Sequence, residues 1–167
     1  MKKLALIAAI AFAVVTAQAN VTALPALIVP ADPTTVEANL PGCLLLSDNV
    51  RFVKRSIPFN SVWHASGFAV FCENPLLMLG NYSRMEIRME GFSSRATRMA
   101  VQARNGSGNF VDLGAYNWTT TETTRTLTLT GNVRRFILPG GLVNLFFHTL
   151  ERNPFRQSVD RVWVTFR

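Results

Sequence analysis

Along Arg84–Glu90 the chain alternates strictly, with Met85, Ile87 and Met89 between Arg84, Glu86, Arg88 and Glu90. A period of two with charges of both signs on the polar side describes a half-buried strand at a sheet surface. The same spacing would scatter the apolar groups around a helix, and the opposite charges can pair across neighbouring strands. Thr97–Arg104 repeats the pattern, with Met99, Val101 and Ala103 inward and Arg98, Gln102 and Arg104 outward. Asn105-Gly106-Ser107-Gly108 then offers the residues that tolerate positive φ, which a tight hairpin needs, and Asn109–Leu113 returns. In Thr123–Thr130 Leu127 and Leu129 alternate with threonines, which predicts a strand with a hydroxylated outer face. Leu142–Leu150 is more continuously apolar and reads as a central strand. Ser158–Arg167 closes the chain, with Val162, Val164 and Phe166 opposed to Arg161, Trp163, Thr165 and Arg167.

The first third is less regular. Prolines at 25, 30 and 33 punctuate an apolar run from Val21 to Asp32 and oppose a helix, so residues 20–33 read as a tether or an extended edge segment. Thr34–Asn39 is a candidate strand ended by Pro41-Gly42, and Val50–Arg55 is another after an Asp48-Asn49 turn. Phe68–Cys72 is a short strand candidate. Ser61–Gly67 has no clear period, and Leu76–Leu79 suits a strand or a turn. No segment carries an amphipathic helix of three turns. About eight strands with short, turn-rich connections predict one all-β domain over residues 34–167, an antiparallel β-sandwich of jelly-roll type.

Ahead of this lies a leader. Met1-Lys2-Lys3 is a positive start, Leu4–Val15 is apolar and uncharged, and Ala17-Gln18-Ala19 supplies a small-x-small cleavage site. The run is shorter than the roughly 20 residues of a membrane span. Residues 1–19 are therefore expected to be a signal peptide, with export to the periplasm or beyond and no membrane span after cleavage. Its removal takes two lysines from a formal net charge of +7. The remaining basicity suits an acidic glycan or polymer, although the arginines are scattered through strands and interleaved with acids. Cys43 and Cys72 would both reach an oxidising compartment, where one intramolecular disulfide is the default. Closing that loop would contribute about 3–4 kcal/mol on the chain-entropy account.

The order of segments carries a resemblance. Leu46–Arg55, Met85–Gly91, the Asn105–Leu113 turn, Thr126–Ile137, a strand led by Gly140-Gly141 and a last strand with Val162-Trp163-Val164 follow one another in a recognisable spacing. The chain is similar in this respect to galactose-binding-like jelly-roll domains of secreted proteins from environmental bacteria. The resemblance implies a binding or structural module, since such sandwiches hold glycans at loop ends or on a sheet face.

The residues themselves offer little catalysis. His64 and His148 are the two histidines, and no Gly-x-Ser-x-Gly elbow accompanies them. Glu86 and Glu90 read as solvated partners of arginine. Asp48, Asp112, Asp160 and Glu151 read as turn or strand-end residues rather than a hydrolytic pair. No spacing of ligands suggests a metal, and no cofactor motif is present. Glycan binding needs flat aromatics with polar groups beside them. Trp63 with its neighbour His64, Tyr116 and Trp118 in expected loops, and Trp163 on the polar face of the last strand meet that description. Arg134-Arg135-Phe136 is too small a signal for nucleic acid. The expectation is a non-catalytic binding or structural protein, with a glycan or another envelope protein as partner. Carbohydrate binding through loop aromatics is the alternative, and a glycan-active hydrolase the second alternative.

Overall fold

The computed structural model describes residues 20–32, 36–38 and 51–167. The expected leader, Cys43 and the Asp48-Asn49 turn lie outside the described residues. Among the described residues eleven strands follow in chain order. These are β1 (Val21–Pro30), β2 (Val36–Ala38), β3 (Phe52–Arg55), β4 (Ile57–Pro58), β5 (His64–Glu73) and β6 (Arg84–Ser93). There follow β7 (Thr97–Arg104), β8 (Phe110–Trp118), β9 (Thr123–Thr130), β10 (Leu142–Glu151) and β11 (Arg156–Phe166). Pro75–Leu79, where strand and turn were both open, is a 3₁₀ turn whose first N–H groups are capped by Asn74.

All ladders are antiparallel and build a jelly-roll sandwich, the fold class expected from the alternation. In the first sheet β11 is central, with β6 and then β9 on one side. On its other side β11 pairs with β3 near its start and with β1 near its end, and β2 lies outside β3. The second sheet runs β8, β7, β10, β5, and the outer edge of β5 is shared by β1 and β4.

β1 therefore belongs to both sheets. Val21–Ala23 pair with β11 and Leu24–Pro30 pair with β5. Of the two readings of this segment, tether or extended edge piece, the structure has the edge strand, paired with both sheets. Its prolines are compatible with this because an edge strand needs donors on one side only. Pro25 also sits where the register shifts.

Inward residues of the two sheets form one core. Phe68 lies between Phe52 and Phe147, with ring centroids 4.9 and 5.2 Å away. Met85, Ile87, Met89, Val162, Val164 and Phe166 of the first sheet face Val70, Met99, Val101, Val143 and Leu145 of the second. Cys72 points into this core as a free, fully buried thiol, so the expected disulfide is not formed in the structure.

Candidate functional site

The outer face of the second sheet carries the site, and the register explains its shape. Gly67, His148, Ala100 and Ala115 stand side by side across β5, β10, β7 and β8. Three of these four residues have little or no side chain, so the row is a trough about 14 Å long at the usual strand spacing. One bank is the neighbouring row Ala69, Phe146, Gln102 and Asp112. The other bank has Leu150 opposite Ala65 and Arg98 opposite Asn117.

Two cavities occupy the trough and share His148 and Leu150. The first, about 340 Å³, lies over β5 and reaches Ala31, Asp32, Lys54, Ile57 and Phe59. The second, about 490 Å³, lies over β7 and β8 and includes Arg98, Ala100, Asp112 and Ala115. Such volumes suit a small ligand or part of a chain. Gly67 lets the Phe146 ring lie close over β5: an added Cβ would stand 3.2 Å from that ring and press on it.

Aromatic rings line one bank. Phe146 stacks on His148 at 5.6 Å and meets Phe110 at 6.0 Å. At the far end Phe59 projects from the β4–β5 turn and is 67 % exposed. That turn is held by Asn60, whose Oδ1 accepts from the backbone N–H groups of Val62 and Trp63 at 2.9 Å each.

Polar groups stand at fixed places among the rings. Gln102 donates to Asp112 at 2.6 Å. The Lys54 ammonium donates to the Asp32 carbonyl oxygen at 2.9 Å on the floor of the first cavity. Burial lowers the Lys54 pKa, and the nearby Asp32 charge opposes that shift. Ser66, which also lines this cavity, has a buried hydroxyl with no protein partner.

The residues expected to bind from sequence are dispersed. Trp63 and His64 are half-buried beside the site, at the start of β5, and neither lines the two cavities. Arg152 covers the Trp63 ring at 5.6 Å. Tyr116 and Trp118 are not loop residues, because β8 continues to Trp118. Both are core residues: the Tyr116 hydroxyl donates to the Ile87 carbonyl at 2.8 Å, and the Trp118 indole N–H points to the Met99 sulfur at 3.3 Å. Trp163 lies on the outer face of the first sheet, with the Arg161 guanidinium over its ring at 4.5 Å.

What the sequence reading missed is Phe59, Phe146 and the open position of His148. The available signal was Asn144 and His148 at alternate positions of β10, which mark one face of an apolar strand as different. Among the described residues no group of three or more His, Cys, Asp or Glu side chains is arranged to hold a metal ion.

No protein-family model matches the chain, and no curated protein is similar to it in sequence. Solved structures are similar in fold. TmCBM61, determined in complex with β-1,4-galactotriose, superposes with a TM-score of 0.51 at 8 % identity, covering 84 % of this chain and 88 % of that one. A CBM4 structure gives 0.49 at 9 % identity over 84 % of this chain and 94 % of its own. The N-terminal cellulose-binding domain of Cellulomonas fimi β-1,4-glucanase C gives 0.43 at 9 % identity, over 72 % and 84 %. At such identities the likeness is one of fold, the jelly roll of carbohydrate-binding modules.

Proposed function

We propose that this protein is a non-catalytic carbohydrate-binding module whose ligand lies in the trough of the second sheet. The observation that carries the reading is the row Gly67, His148, Ala100, Ala115 beside Phe146, which leaves a groove floored by small residues next to an aromatic bank. Sugar rings present flat C–H faces and hydroxyl edges, and this groove offers Phe59, Phe146 and His148 to the faces. Arg98, Gln102 and Asp112 are available to the edges. The fold shared with carbohydrate-binding modules supports the same reading by analogy.

Binding fits the groove better than cleavage. Its lining carboxylates are Asp32 and Asp112, in different cavities. Asp32 follows β1 and Asp112 lies on β8, with β5, β10 and β7 between them, whereas two acids cooperate on a glycosidic bond over roughly 5–9.5 Å. The leader expected at residues 1–19 would deliver the module outside the cytoplasm, where polymeric glycans are met.

The test is isothermal titration with β-1,4-galactotriose, mannohexaose and cellohexaose, followed by a wider neutral-glycan array. Phe146→Ala is expected to weaken binding at least about tenfold, equivalent to about 1.4 kcal/mol. Ala100→Trp, which fills the trough from an outward position, is expected to abolish it while the circular dichroism spectrum stays unchanged. No binding to any neutral glycan, or binding indifferent to both substitutions, would overturn the proposal.

A further inference from the structure

The opposite face of the sandwich carries a second surface, unrelated to the trough. On β6 and β11 the outward positions are Arg84, Glu86, Arg88 and Glu90 beside Arg161, Trp163, Thr165 and Arg167. Glu86 is only 3 % exposed. Its carboxylate accepts ion pairs from Arg84 at 2.8 Å, Arg88 at 2.9 Å and Arg167 at 3.3 Å. Three guanidiniums around one carboxylate exceed what is needed to satisfy a buried acid, and those three side chains remain 46 %, 36 % and 42 % exposed. Arg84 and Arg167 also exchange backbone hydrogen bonds, which sets two like charges directly opposite each other. That arrangement is unfavourable between neighbouring strands unless an anion lies between or above them. Glu86 supplies one such charge from below, and the outer side of the cluster is open to another.

Alongside this cationic strip runs a row of hydroxyls. Thr124, Thr126, Thr128 and Thr130 of β9 are all exposed and face outward, directly opposite Glu90, Arg88, Glu86 and Arg84. We infer that this Arg–Thr face binds a linear polysaccharide bearing periodic anionic groups, carboxylate or sulfate. The guanidiniums take the anions in forked hydrogen bonds, and the threonines meet the ligand's hydroxyls. A nucleic acid fits less well, because Trp163 already has Arg161 stacked over its ring, and Phe92 farther along β6 has Arg51 over its own. An anionic membrane fits less well too, because these rows project no aliphatic side chains to enter the acyl region.

The experiment measures affinity of the full chain for polygalacturonate, dextran sulfate, neutral dextran, a dT20 oligonucleotide and phosphatidylcholine/phosphatidylglycerol vesicles. Binding to polygalacturonate or dextran sulfate and not to dextran is expected, and the stronger of the two identifies carboxylate or sulfate as the anion. Affinity should fall at least about tenfold between about 20 and 200 mM NaCl, as exposed charge pairs are screened. The double variant Thr126→Glu, Thr128→Glu places acids directly opposite Arg88 and Glu86, where they answer the guanidiniums in place of a polyanion. It is expected to lower polyanion affinity at least about tenfold while leaving neutral-oligosaccharide binding in the trough and the circular dichroism spectrum unchanged. No polyanion binding at low salt, equal affinity for dT20 or the vesicles, or binding indifferent to the double variant would each overturn the inference. None of these outcomes bears on the trough, so the two proposals fail separately.

Discussion

Two buried groups set the response of this fold to alkali. The Cys72 thiol is surrounded by core, and burial pushes its pKa up from 9.0 to about 12. Burial moves the Tyr116 hydroxyl upward as well. Each keeps its proton in the folded chain at a pH where the unfolded chain has lost it. The folded state therefore binds more protons than the unfolded one above about pH 9. Stability is full below that point and falls as pH rises, by up to about 1.4 kcal/mol per pH unit for Cys72 and, from about pH 10, for Tyr116 as well. Melting temperatures measured from pH 7 to 11 should be level at first and then decline, and Cys72→Ala should decline less steeply. An identical slope in the variant would show that Cys72 contributes nothing to it. The two cysteines of the sequence suggested a disulfide because composition reports compartment, whereas the direction of Cys72 depends on its parity in β5. Even positions from Ser66 to Cys72 are buried there, and the side chain follows them inward.

At the scale of elements, the legible strands were those whose two faces differ in polarity. β7 and β9 were legible to the residue, and β6 and β11 nearly so, because one side of each is charged or hydroxylated. β8 was cut short at Leu113, since a register shift against β7 between Val101 and Gln102 breaks its alternation just where Gly114 begins. That error placed Tyr116 and Trp118 in a loop. β5 was also cut short, because Gly67 and Ala65 leave its outer side without a polar mark. Those small residues hid the strand and built the trough. The β4–β5 turn beside it was unreadable as a site for a related reason: its key residue, Asn60, acts through backbone geometry. With its two acceptor bonds to Val62 and Trp63 removed, Asn60→Ala should cost about 1 kcal/mol of stability. The same change should weaken binding of any oligosaccharide that reaches Phe59, because the exposed ring loses its fixed direction. Binding of an oligosaccharide that also depends on Phe146, with affinity unchanged in Asn60→Ala, would place Phe59 outside the site.

For the whole molecule the decisive feature is the strand that sequence patterning leaves open between a tether and an extended edge segment. The proline-punctuated run from Val21 to Pro30 offered no alternation because its two halves answer to different sheets. Val21–Ala23 complete the edge of β11, and Leu24–Pro30 complete the edge of β5. Ala23 is fully buried, and Val21 and Ile28 pack against the core. β1 thus ties the layers together by backbone as well as by side chains, and the cleavage expected after Ala19 would leave it whole. Removal of residues 20–30 would open strand edges on both sheets at once, and an unpaired, apolar edge is a template for association with other chains. A chain beginning at Ala31 should therefore unfold at a much lower urea concentration than one beginning at Asn20. It should also lose the single cooperative transition and form oligomers detectable by light scattering. A truncated chain that stayed monomeric with an unchanged urea midpoint would show that the two sheets are held by their core alone, and that β1 is the tether it resembles in sequence.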